Sequence, residues 1–145
     1  MTDARIEKSI FLKASPQRVW DHLTQPDLLA RWFHPSDVEL QADVAYALLS
    51  NSGDGKTVCW GNVLEAEPPK RLVYSFTHNW LDGHLTRVEW TLSPVAEGTM
   101  LKLIHDGFEG VKVDVFDSLC GHDAGWDEHF VKLREAVKEG GAASA

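Results

Sequence analysis

The 145-residue sequence predicts an α+β domain, a curved antiparallel sheet of about seven strands wrapped around one long C-terminal helix, with two short helices after strand 1. Three observations carry that prediction. A helix-start signal at Ser15-Pro16 follows a short strand-like segment. From Val38 to Ile104 the pattern is extended and broken by turn residues at intervals of roughly ten. Near the end, Trp126, Phe130, Leu133 and Val137 recur at spacings of 4, 3 and 4, the apolar stripe of an amphipathic helix.

The elements follow in order. Ile6 to Lys13 mixes apolar and charged residues as an opening strand and ends at the turn-prone Ala14-Ser15-Pro16. Ser15 can accept a hydrogen bond from an early helical N–H, and Pro16 suits the first helical position because its missing donor would be unpaired there anyway. Val19, Trp20 and Leu23 share one face of that helix. Pro26 stops it, and Asp27 opens a second short helix carrying Leu28, Leu29 and Trp32. Strands are expected at Val38–Gln41, Ala45–Ser50, Thr57–Ala66, Arg71–His78, His84–Ser93 and Thr99–Asp106. Between them stand Asn51-Ser52-Gly53-Asp54-Gly55, Glu67-Pro68-Pro69, Leu81-Asp82-Gly83 and Ser93-Pro94 through Gly98. A loop is expected from Gly107 to roughly Ala124, with a helical turn within Val111 to Cys120, before the closing helix; there Glu128 and Lys132 are an i, i+4 pair of favourable order. The residues after about 139 read as a frayed tail to one domain spanning the chain.

Composition bounds the function. With 43% hydrophobic, 10% aromatic and 25% charged residues the chain can build a full core. Fourteen Lys and Arg against 22 Asp and Glu make a formal charge of −8, which argues against nucleic-acid binding. Cys59 and Cys120 stand alone, so neither a disulfide framework nor a zinc ribbon is expected, and a reducing, cytoplasmic location fits. No segment reads as a secretory signal or a membrane span.

Strand alternation defines an inward set: Leu72, Tyr74, Phe76 and His78 on one strand, Val88, Trp90 and Leu92 on the next, and Leu101, Leu103 and His105 on the last. A curved sheet closing on a single helix tends to leave a cleft, and bulky aromatics can line it. His122, Asp123 and His129 lack any metal-ligand spacing, no dinucleotide, P-loop or serine-hydrolase motif occurs, and each cysteine reads as a buried thiol. No metal or cofactor is expected.

A family resemblance covers nearly the whole chain, from about residue 5 to 139. Ala14-Ser15-Pro16-Gln17-Arg18-Val19-Trp20, then Leu23-Thr24-Gln25-Pro26, Leu28-Leu29 and Trp32-Phe33, resembles the opening of SRPBCC (START/Bet v 1-like) proteins of the Hsp90-ATPase-activator-homologue-like branch. Gly61-Asn62-Val63-Leu64-Glu65 with Pro68 through Tyr74 is similar to the central hairpin of that family. Gly98 through Leu103 with His105-Asp106-Gly107-Phe108 is similar to its final strand, and Gly125-Trp126 with Leu133 to the start of its closing helix. The resemblance implies the helix-grip fold around an apolar cavity, with walls supplied by these strands.

The leading expectation is therefore a non-enzymatic protein that binds an apolar or amphipathic small molecule, contacted by Trp32, Tyr74, Phe76, His78, Trp90, His105, Phe108, Trp126 and Phe130. The alternative is a cyclase-like or hydrolytic enzyme with His105 or Glu89 as acid or base in the same cavity. A third reading is a surface interaction module using Trp32, Phe33 and Trp80. The eukaryotic co-chaperone that names the branch has a separate N-terminal domain for which this chain has no residues, so a chaperone partner is the less favoured expectation. Edge strands and exposed aromatics are compatible with a homodimer.

Overall fold

Six strands hydrogen-bond into one antiparallel sheet in the order β1-β6-β5-β4-β3-β2. They are β1 (Ile6–Leu12), β2 (Ala45–Leu49), β3 (Thr57–Glu67), β4 (Arg71–His78), β5 (Thr86–Val95) and β6 (Gly98–Asp106). The helices are α1 (Pro16–Thr24), α2 (Pro26–Trp32) and α3 (Val115–Ser144). The computed structural model describes residues 5–78, 81, 84–108 and 115–144, with side chains as far as 138.

Local signals set the helix starts. The Ser15 hydroxyl accepts from Arg18 N at 3.2 Å, and Pro16 and Pro26 open α1 and α2. The inward residues of β4, β5 and β6 predicted from alternation are buried, His78 only partly. Val19 and Leu23 of α1, Leu29 and Trp32 of α2, and Leu133 and Val137 of α3 join them in one core on the concave face. The Trp126–Val137 stripe therefore faces the sheet, at roughly 1.5–3 kcal/mol for each large side chain removed from water. Arg18 Nε, donating to Val137 O at 3.0 Å, ties α1 to α3, and Lys8 Nζ, 2.9 Å from Asp123 and 2.7 Å from Asp127, ties β1 to it.

The structure corrects four expectations. Residues 38–41 do not form a seventh strand, because their neighbourhood is tied elsewhere. Leu40 N donates to Thr24 O at 2.9 Å, and pairing with β2 stops at Asp37, whose N–H donates to Ala47 O at 2.9 Å and whose carboxylate accepts from Ala47 N at 2.8 Å. Only an isolated bridge between Ser36 and Leu48 remains. The expected loop up to Ala124 is instead helix from Val115 on. Gly121 and Gly125 read as breakers, yet each costs a helix only about 1 kcal/mol relative to alanine, less than the packing of Trp126 and its neighbours returns. β5 runs through Pro94 to Val95, so the β5–β6 turn is Ala96-Glu97, with Ala96 at φ 45°. Finally, Glu128 and Lys132 form no ion pair. Residues 109–110 of the expected loop and 111–114 of the predicted helical turn lie outside the described residues, as does Trp80. Among the described residues, no helix is long and apolar enough to cross a membrane.

Candidate functional site

Between α3 and the β3–β4 end of the sheet lies a cleft of about 220 Å³. Its apolar floor is Phe33, which follows α2, with Phe76 of β4 and Trp126 of α3; the Phe33 and Trp126 rings are 5.3 Å apart and the Phe33 and Phe76 rings 6.4 Å. Cys59 of β3 adds a buried thiol. Gly121 and Gly125, one turn apart on α3, form the open side, and a Cβ built on Gly125 meets nothing within 4 Å. The space beside Gly125 is therefore open. Four of the seven histidines complete the lining: His34, His78, His122 and His129.

Hydrogen bonds assign the protons of these rings. His122 Nδ1 donates to Ser118 O at 2.7 Å, the helical carbonyl one turn back, so its Nε2 lone pair accepts from His78 Nε2–H at 2.8 Å. Asn51 Nδ2 donates both to Phe33 O and to His34 Nδ1, each at 3.1 Å, which places the proton of His34 on Nε2. His129 Nδ1 donates to Trp32 O at 3.2 Å, leaving its Nε2 lone pair without a protein partner among the described residues. Desolvation lowers the pKa of all four, with Lys132 adding to the effect on His34 and His129, and the neighbouring His122 to that on His78, which falls to about 4. At neutral pH the cleft is lined by neutral imidazoles, and among the described residues no carboxylate lines it.

Of the nine residues predicted to contact a ligand, the cleft takes three: Phe76, His78 and Trp126. Trp32, Tyr74, Trp90, His105, Phe108 and Phe130 are instead core, none more than 5% exposed. Solid packing occupies most of the volume expected to be hollow, with Trp90 set edge-on to both Trp32 and Trp126. The indole of Trp90 donates to the Tyr74 hydroxyl at 3.0 Å inside this packing.

Neither candidate acid–base residue lines the cleft: His105 is buried behind it, against Phe76, His122 and Trp126. The single hydroxyl proton of Thr86 goes to Phe76 O at 2.7 Å, so its 2.8 Å contact with His105 has the imidazole Nε2–H as donor. His105 Nδ1 in turn accepts from Trp126 Nε1–H at 3.0 Å. Both ring nitrogens are thus engaged in the neutral form, and burial, with His122 and His78 nearby, holds the pKa well below 6.5. Such a ring is a structural crosslink. Glu89 sits on the outer face of the sheet between Arg71 (3.2 Å) and Arg87 (3.1 Å). Trp32 and Phe33, offered as surface contacts, are buried. Burial pushes the Cys59 thiol up to about 12, which removes it as a nucleophile, whereas Cys120 is exposed rather than buried. Among the described residues, no three or more potential ligands are grouped to hold a metal ion.

Reading the residues up to Ala124 as a loop kept Gly121 and His122 off the helix. Taken as helix, His122, Trp126 and His129 fall on one face at i, i+4 and i+7, with the two glycines beside them. His34 carried no comparable signal; its place depends on the chain turning after Trp32.

Fold and cleft together define a helix-grip domain, and comparisons place it. A sequence model of the family described as Activator of Hsp90 ATPase homolog 1-like protein matches residues 13–138. The chain belongs to that family. A protein of Mesorhizobium loti is similar in structure, with a TM-score of 0.80 and 25% identity over 93% of this chain and 97% of that one. CalU16 from Micromonospora echinospora has a TM-score of 0.74 and 26% identity, covering 92% of this chain and 75% of that one. The Aha1 dimer from Colwellia psychrerythraea shares the fold, with a TM-score of 0.72 and 21% identity over 94% and 96% of the two chains. Comparison with curated proteins gives no match.

Proposed function

We propose that this protein binds a small, largely apolar ring compound in the cleft between α3 and the β3–β4 end of the sheet. The observation that carries the reading is the empty space facing Gly125. A helix gains about 1 kcal/mol from alanine in place of glycine, so a glycine that leaves an aromatic-floored hollow open forgoes that stability. A cleft of about 220 Å³ suits one substituted ring rather than a long lipid chain. Apolar walls with a few fixed polar groups are the usual composition of a small-molecule site.

A thermal-shift screen of single-ring compounds tests the reading against Gly125→Leu, whose side chain would fill the hollow. Some rings should raise the melting temperature of the wild type by a few degrees and leave the variant unmoved, with its circular dichroism unchanged. Equal response of both proteins, or response of neither, would refute the site. The homodimer belongs here as a proposal too, resting on β1 and β2 as sheet edges. Light scattering on the eluting protein tests it, and a monomer mass dismisses it.

A further inference from the structure

The two walls of the cleft differ in what they offer a ligand. On one, His78 and His122 spend their facing nitrogens on each other, 2.8 Å apart. On the other, His34 presents an Nε2–H and His129 an unshared Nε2 lone pair, with ring centres 6.0 Å apart. Phe33 lies edge-on to His129 at 4.7 Å and beside His34 at 5.1 Å, so the polar pair stands directly above the aromatic floor.

Lys132, one turn beyond His129 on α3, acts electrostatically on both rings and has no ion-pair partner among the described residues. Its expected partner Glu128 is free of it and is the one carboxylate acting on His129. The remaining groups around His129 are neutral or apolar: the Trp32 carbonyl holding Nδ1–H, the Trp126 ring, and across the cleft the uncharged His78–His122 pair and the Cys59 thiol. Two imidazoles thus face the cleft, with the exposed Lys132 outside its lining yet within electrostatic reach of both rings. A carboxylate bridging the two rings would accept from His34 Nε2–H at about 2.8 Å, and would meet a second donor only if His129 Nε2 were protonated.

Resting on the cleft being a ligand site, we propose that its occupant is a small aromatic carboxylate, with the ring on Phe33 and Trp126 and the carboxylate between His34 and His129, and that His129 takes up one proton as the anion binds. The proton comes from solvent and no covalent bond changes. The sign follows from linkage: the anion favours the charged imidazole, so the pKa of His129 is higher in the complex than in the free protein. Between those two values, affinity falls up to tenfold for each unit of pH increase.

Calorimetric titration with benzoate, and with benzamide as its uncharged counterpart, tests this at pH 6.5 and 7.5 in two buffers of unlike ionisation enthalpy. Benzoate should bind at least tenfold more tightly than benzamide at pH 6.5 and take up close to one proton at pH 7.5. His129→Gln should abolish that uptake and flatten the pH dependence. Lys132→Gln, an exposed change that leaves the fold alone, should weaken benzoate several-fold and keep the uptake. Benzamide binding as tightly as benzoate, or benzoate binding without proton uptake, overturns the inference while the cleft remains a ligand site. Failure of both probes, where neutral rings still bind in a manner blocked by Gly125→Leu, overturns the inference alone. If no ring compound binds, both readings fall.

Discussion

Trp126 gives its indole proton to His105, and that bond decides what the imidazole can do. With Nδ1 accepting and Nε2 donating to Thr86, a charge on the ring would set its new proton against the indole N–H. Trp126→Phe keeps most of the apolar volume but leaves a buried nitrogen without a partner, at a cost of about 1–3 kcal/mol. Urea unfolding reads this directly, and an unchanged midpoint would mean the bond contributes nothing. Proximity to an apolar strand end placed His105 correctly in the sequence. Its inertness was not legible, because the two partners that saturate it come from α3 and β5.

At the scale of elements, β3 and β4 approach unusually closely at Gly61. A Cβ there would lie 1.9 Å from the Ser75 carbonyl oxygen, which also accepts from the Tyr46 hydroxyl at 2.7 Å. Gly61→Ala must therefore push backbone, and overpacking of this kind costs about 1–3 kcal/mol. Thermal unfolding should show the loss, and a melting temperature equal to that of the wild type would contradict the register of this hairpin. The strand edges of β4 follow from its flanking residues, and Ser15-Pro16 sets the start of α1. By contrast, the expected strand at 38–41 is tied to α1 instead, through Leu40 N donating to Thr24 O, a bond that no local pattern announces.

For the whole molecule, the buried histidines make stability depend on pH. His22 and His105 are both 0% exposed, and desolvation lowers the pKa of each in the folded chain. The unfolded chain, with imidazoles near 6.5, takes up protons that the folded one refuses, so stability is present above that pH and falls as pH drops below it. Each histidine kept neutral contributes a slope of about 1.4 kcal/mol per pH unit. Urea midpoints measured at pH 7, 6 and 5 should fall steadily, a window above the range in which carboxylates titrate. A flat profile would show that these rings accept protons in place.

Sequence alone determined the order of elements, the inward face of β4, β5 and β6, the docking stripe of α3 and the family, because these depend on periodicity and on signals a few residues long. Tertiary structure decided where the hollow lies. Packing eliminated it among Trp90, Tyr74 and His105 and left it beside Gly121 and Gly125, where a Cβ on Gly125 would meet nothing within 4 Å. Periodicity tells which way a side chain points; whether opposing side chains then meet depends on the separation of the backbones that carry them, which only the folded chain sets.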